Sequence, residues 1–192
     1  MPIKLHRRYI LGLDVSTSIM GICLMDRDVV PDTAGSHIIM LEAIDFKKCV
    51  SLWDRASLVK NQFDLLHATF GRDEIEVVVE EPLMSFRPGA SSAATIATLL
   101  RFNGIVSYIA RTVFNSPPAY ISAPRARKVC GMKMQKPSIV KKPHKEQVFE
   151  YMSLNDLSFK QWPKKKNGSY VNWARDATDA YVIAKAHSIM NS

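Results

Sequence analysis

A chain of 192 residues with 47% hydrophobic content is long enough to bury one substantial core and too short to promise two, so a single domain is expected over residues 1 to 192. Its three cysteines, Cys23, Cys49 and Cys130, are odd in number and lack paired ligand spacing. That argues against a disulfide framework or a zinc site and fits a reducing cytoplasm.

The elements follow in chain order. The basic opening MPIKLHRR leads into an apolar run of about six residues before Asp14 interrupts it, too short for a signal peptide, and no other segment is expected to reach the roughly 20 apolar residues of a membrane span. Residues 9 to 15, 19 to 26 and 37 to 46 (YILGLDV, IMGICLMD, HIIMLEAIDF) are apolar runs separated by short polar breaks. They predict three strands, and the short links favour an antiparallel meander. SLWDRASLVKNQFDLLHATFG places Leu52, Ala56, Val59, Phe63, Leu66 and Phe70 at helical spacing and stops at Gly71. EIEVVVEEP predicts a buried strand running into Glu80 and Glu81. A Gly/Ser link precedes the long helix AATIATLLRFNGIVSYIARTVF, and PAYISAP predicts a short fifth strand. Helical stretches around HKEQVFEYM and WARDATDAYVIAKAHSIM close the chain, with the basic segment LSFKQWPKKKNGSYVN between them. Three antiparallel strands, a helix, then strand, helix and strand give a mixed α/β sheet flanked by helices. That order is the ribonuclease H-like arrangement, a five-stranded mixed sheet of order 3-2-1-4-5.

The formal charge of +8 is concentrated rather than spread. Residues 122 to 166 carry twelve Lys and Arg against three acidic residues, and the rest of the chain carries fourteen against fifteen. Such a block is either a solvated surface or a nucleic-acid footprint. Read as a footprint, its candidate DNA contacts are Arg125, Arg127, Lys128, Lys141, Lys142, Lys164, Lys165 and Lys166. The three lysines at 164 to 166 are expected on backbone phosphates, because lysines on a loop neutralise charge without reading sequence.

Asp14 sits inside a strand-like apolar run, where an isolated charge is costly unless it is paired. In the ribonuclease H-like arrangement the first and fourth strands are parallel neighbours, which brings Asp14 beside the Glu80/Glu81 pair. On the last helix Asp176 and Asp179 are three positions apart and share a face, while Ala177, Ala180 and Ala184 are small enough to let that helix approach the sheet. Four converging carboxylates repel one another and raise one another's pKa values. Divalent cations remove that repulsion, and an oxygen-only ligand set suits two Mg²⁺ ions, with Mn²⁺ able to substitute. Such a pair of ions can support in-line hydrolysis of a phosphodiester. For each acid alone a bland role is open: Asp176 as a residue favoured by the helix dipole, Glu81 as a solvent-facing residue of a strand.

These motifs resemble the RuvC family of Holliday junction resolvases, and more closely its phage-encoded members. LGLDVSTSIMGICLMD resembles the family's strand, aspartate, turn and strand opening, VVVEEPLM its glutamate-bearing motif, and DATDAYVIAKAH its closing helix. The glycine common in the first turn is replaced here by VSTS, and the two basic stretches look longer than bacterial members need. The resemblance implies that Glu80 rather than Glu81 is the catalytic glutamate. PHKEQVFEYM resembles the stretch bearing an active-site lysine, so Lys145 is implied as catalytic beside Asp14, Glu80, Asp176 and Asp179. It further implies a homodimer in the host cytoplasm that nicks four-way and other branched DNA junctions symmetrically. The apolar long helix (Ala93, Ala94, Ile96, Ala97, Leu99, Leu100) suits either a partner or ordinary burial, and Phe86 suits either a wedge at the junction or a loop anchor. Two rival readings are a non-catalytic junction binder, which would be expected to lose carboxylates, and an actin- or sugar-kinase-like ATPase, whose second phosphate motif and Gly-Gly adenosine motif are absent from this sequence.

Overall fold

The first apolar run becomes Tyr9–Asp14 (β1), five of its six residues buried. A computed structural model, describing residues 7–32, 35–82 and 92–191, continues it through Ile19–Asp26 (β2), Ile38–Asp45 (β3), Leu52–Phe70 (α1), Ile75–Glu80 (β4) and Ala93–Phe114 (α2). Ala119–Ile121 (β5), Ala123–Val129 (α3), Pro137–Val140 (α4), His144–Leu154 (α5) and Trp173–Met190 (α6) follow. The described residues form a five-stranded sheet of order β3-β2-β1-β4-β5. β1 and β2 pair antiparallel, as do β2 and β3, while β4 runs parallel to both β1 and β5. The fold is α/β and ribonuclease H-like, with the predicted strand order.

Strand alternation divides the core. Leu11 and Leu13 of β1 and Val77 and Val79 of β4 face α1 and α2, where Phe63, Phe102, Val106 and Phe114 pack on them. Ile10 and Val78 point the other way, onto Ala177, Ala180, Tyr181 and Ala184 of α6 and Val148 and Phe149 of α5. Asp14 and Glu80 continue this second register, so both sit on the α6 side of the sheet. The helix starts are set locally: Ser51 and Asp54 form a reciprocal capping box at α1, and the Ser92 side chain accepts from the Thr95 amide at α2.

Two glycines decide how close α6 lies. A methyl group at Gly21 would fall 1.9 Å from the Asp176 carbonyl oxygen, and one at Gly12 would fall 2.3 Å from that of Ala180. Backbone therefore rests almost on backbone, and the face of α6 that bears Asp176 and Asp179 is pressed against the C-terminal end of β1.

Two expectations need correction, and one segment gains structure. The fifth strand is only Ala119–Ile121, because Ser122 already starts α3, and α3 and α4 were not anticipated. In the basic stretch before α6 an antiparallel bridge joins Lys164 to Tyr170 around a turn whose Gly168 has φ of +79°. Finally, α2 is long and apolar enough, by length and composition, to cross a membrane, with a mean hydropathy of 1.3. The helix is apolar on its outer side as well as its inner one: Phe102, Val106, Ala110 and Phe114 pack on the sheet while Tyr108 is 72% exposed and Leu100 lies at the surface. Phe86 lies outside the described residues.

Candidate active site

The parallel pairing of Leu13 with Val79 sets Asp14 beside Glu80 at the C-terminal ends of β1 and β4. Glu81 is exposed, and its amide donates to the Ile121 carbonyl at 2.9 Å. From α6, Asp176 and Asp179 reach the same place from successive turns. Asp14 and Asp179 are buried, at 8% and 6% exposure.

Lys145, in the first turn of α5, closes the cluster. Its ammonium donates to Asp176 Oδ1 at 2.6 Å and to Asp14 Oδ2 at 3.0 Å, and lies 3.4 Å from Asp179 Oδ2. The neighbouring Glu146 pairs with Arg175 of α6, one residue before Asp176, which ties α5 to α6 where the lysine crosses. The guanidinium of Arg175 also lies 5.4 Å from the centre of the Phe149 ring.

The electrostatics are unbalanced. Burial, then the charges of Asp14 and Asp179, push the Glu80 carboxyl well above the usual range, with Arg127 and Lys145 opposing. Burial and Asp14 do the same to Asp179. Asp176 is raised by burial as well, although Lys145 pulls against it. Burial alone would lower the Lys145 pKa, but Asp14, Asp179 and Asp176 together outweigh it and hold the amine charged. Lys145 and, at longer range, Arg127 leave the four acids under-compensated. An under-compensated, oxygen-only donor set fits Mg²⁺ or Mn²⁺ by its chemistry. Among the described residues, however, no three acidic, His or Cys side chains are disposed to hold a metal, and three of the acids contact Lys145.

The remaining candidates are dispersed. Arg127, on α3, is half-buried and close enough to influence Glu80 and Asp179, so it belongs with the carboxylates as much as with any outer DNA surface. Arg125, Lys128 and Lys141 are exposed. Lys142 pairs with Glu150 at 2.7 Å. Lys164 lies 5.3 Å from the centre of the Tyr170 ring, Lys165 donates to Asn172 Oδ1 at 2.7 Å, and Lys166 is exposed. Lys165 thus stands one helical turn before Asp176, at the N-terminus of α6.

Sequence reasoning missed three positioning features. Gly12 and Gly21 were visible as glycines in strands, a signal of close backbone approach. The Arg175–Glu146 pair joins residues 29 positions apart and has no local signal. Asn103 of α2, buried at 4% exposure, donates its side-chain amide to the Glu80 carbonyl at 3.4 Å.

No family model and no curated protein sequence matches the chain. Among solved structures, Thermus thermophilus RuvC in complex with a Holliday junction substrate aligns with a TM-score of 0.61 and 13% identity, over 95% of this chain and 94% of the other. Another Thermus thermophilus RuvC structure aligns at 0.57 and 15%, over 95% of each chain. The yeast mitochondrial Holliday junction resolvase aligns at 0.53 and 17%, over 98% of this chain and 80% of its own. With the sheet order β3-β2-β1-β4-β5 and α6 laid across the carboxylate end of β1, this chain has the ribonuclease H-like fold in the form found in RuvC.

Proposed function

We propose that the protein is a divalent-cation-dependent, structure-selective DNA endonuclease that cuts four-way junctions, and other branched DNA, as a homodimer. The observation that carries this reading is the meeting of Asp14, Glu80, Asp176 and Asp179 around Lys145 at one end of a RuvC-like sheet. Two of the structures it resembles are described by their junction chemistry, one bound to a Holliday junction substrate and one a Holliday junction resolvase.

The four carboxylates would hold two Mg²⁺ or Mn²⁺ ions, which when bound supply charge neutralisation at the attacking and leaving oxygens of the phosphodiester. The chain's own residues do the rest. Asp14 and Glu80 are fixed by strand ends and Asp176 and Asp179 by a helix pressed onto two glycines, so the acids stay in place under their mutual repulsion. Lys145 carries a compact charge that stabilises negative charge building on the phosphate oxygens. Arg127, and outside it the exposed cations of α3 and the Lys164–Lys166 turn, hold the DNA backbone.

A second copy is the occupant proposed for the outer side of α2. A cleft of about 850 Å³ runs between α1 and α2, lined by Trp53, Ala56, Gly104, Ile105 and Tyr108, and Trp53 is 71% exposed. Pairing there would give two carboxylate sites related by a two-fold axis, as two symmetrical nicks require.

Labelled four-way, three-way and linear duplex DNA, incubated with the protein with and without Mg²⁺, tests the reading. Paired nicks at symmetrical positions in the four-way junction, in Mg²⁺ only, are expected. Binding without cleavage would favour a non-catalytic junction binder, and cutting of linear duplex at the same rate would remove the structure selectivity.

A further inference from the structure

Between α3 and α5 the chain closes on α5 as an arch, and one side chain holds it shut. Gln147 donates to the Gln135 and Lys142 carbonyls and accepts from the Gln135 amide, each at 3.0 Å. Both ends of the stretch 135 to 142 are thereby tied to α5. A cleft of about 500 Å³ lies between arch and helix, with Met132, Met134, Val140, Tyr151 and Leu154 in its lining. Tyr151 is 39% and Leu154 80% exposed, so this apolar lining is open to solvent. The polar groups beside it are already engaged: Gln147 in the arch, and Glu150 by Lys142 at 2.7 and 2.9 Å. A flat ring entering the cleft therefore meets an aromatic face, two thioethers and aliphatic carbon, which pack on it without reading its edge. The rim is cationic. Residues 131 to 144 hold Lys133, Lys136, Lys141 and Lys142 and no acid, and Lys133, Lys136 and Lys141 are exposed.

We infer that this cleft takes the base of an unpaired nucleotide, irrespective of its identity, with the neighbouring phosphates on the lysines of the arch. The inference rests on the branched-DNA reading given above. An unstacked nucleotide presents both an apolar ring face and an anionic backbone, and the cleft offers a surface for each. Bases in a linear duplex keep their faces stacked and have nothing to place there. Lys145 and Gln147 are two residues apart and so lie on opposite sides of α5, which sets the cleft about 10 Å from the carboxylate cluster, across the width of one helix. A strand held over the first turn of α5 reaches both. Preference for branched over linear DNA is thus assigned to a surface separate from the chemistry, and one that tolerates any sequence.

Photo-cross-linking of the whole chain in metal-free buffer tests this. Four-way junctions carry 5-iododeoxyuridine in turn at each nucleotide flanking the branch, or in mid-arm, and adducts are mapped by mass spectrometry. Expected is an adduct at Tyr151, Met132 or Met134 from at least one branch position and none from mid-arm. No adduct in this lining from any branch position overturns the inference. Tyr151→Ala, at an exposed side chain, should weaken four-way junction binding by about tenfold, the scale of one lost base–aromatic stack, and leave linear duplex binding unchanged. Equal loss on both DNAs would also overturn it, as would no loss on the junction, which would leave the cleft to a protein partner. Adducts at Tyr151 on a junction that the protein never cuts in Mg²⁺ would sustain the cleft and remove the nuclease reading. Paired nicks without such adducts would remove the cleft alone, and a chain that binds no junction removes both.

Discussion

Glu76 and Glu80 stand four residues apart on the same face of β4, and their surroundings drive them in opposite directions. Glu76 receives His187 at 3.0 Å and Arg27 at 2.6 Å, and its carboxyl falls to about 2, the hydrogen bond from His187 being the largest cause. Glu80 shares its end of the sheet with three aspartates and one lysine, and its carboxyl is raised, chiefly by burial and then by Asp14 and Asp179. At one end two bases converge on one acid; at the other three aspartates converge on one lysine, with Glu80 and Arg127 beside them. β4 and α6 contribute to both ends, with Arg27 after β2 joining Glu76 and β1, α3 and α5 joining Glu80. A fold can keep an unbalanced charge cluster at one end of a strand when the other end is fully compensated.

The sharpest way to break the comparison is to remove an acid from the crowded end. Asp14→Asn or Asp179→Asn should lower junction cleavage in Mg²⁺ by about a thousandfold, on the scale of losing a group that organises transition-state charge. Junction binding in metal-free buffer should survive or tighten, because one fewer carboxylate repels the phosphates. Single-turnover cleavage and metal-free gel shifts on the same preparations separate these. Wild-type cutting by a folded variant would return the two aspartates of α6 to a helix-dipole role.

Lys145→Ala should lower cleavage of bound junction by about a hundredfold, read in single turnover on the same DNA. A wild-type rate would make it a surface residue.

The two glutamates also predict a stability profile with opposite limbs, measured as melting temperature against pH in EDTA. The folded pKa of Glu76 lies below its unfolded value, so its contribution is complete above pH of about 4.3 and is lost as pH falls through about 2. Glu80 and Asp179 are raised instead, so their contribution is complete below the ordinary carboxylate range and is lost as pH rises through their raised values. The metal-free chain should therefore lose stability from mildly acid toward alkaline pH. Asp179→Asn should flatten that limb, and Glu76→Gln should cost about 2 kcal/mol at neutral pH and flatten the acid one. Parallel behaviour of the two variants would dissolve the contrast between the ends.

The smallest effect is expected outside both clusters. Changing Lys164, Lys165 and Lys166 together to Gln should weaken binding alike on every junction sequence and reduce the salt slope by up to about three counterions. Because Lys164 lies over Tyr170 and Lys165 is tied to Asn172, most of that change should come from positions already held beside α6. An unchanged slope would make the turn a solvated surface, and an altered cleavage-sequence preference would argue for base contacts.

What the sequence determined was local. Apolar runs broken by polar turns specify strands, and helical spacing with a terminal glycine specifies α1, because periodicity and capping act over a few residues. The strand order followed from the succession of elements, since short links force neighbours to pair. α3 and α4 escaped because runs of seven and four residues, each with a proline in its first turn, are too short to carry a period. Asp14, Glu80, Asp176 and Asp179 were legible as acids in apolar surroundings, where charge needs a reason. Of their partners, Lys145 was reached only through the family resemblance, and no local signal pointed to it. Lys145 meets Asp14 across 131 positions and Asp176 across 31, and Arg175 meets Glu146 across 29, distances over which no pattern in the chain constrains contact. Only the packed structure decided that α6 lies on Gly12 and Gly21, that its acids face a lysine from α5, and that Arg127 joins them. Charge compensation depends on separations of a few ångströms, and those are set by the close approach of helix and sheet.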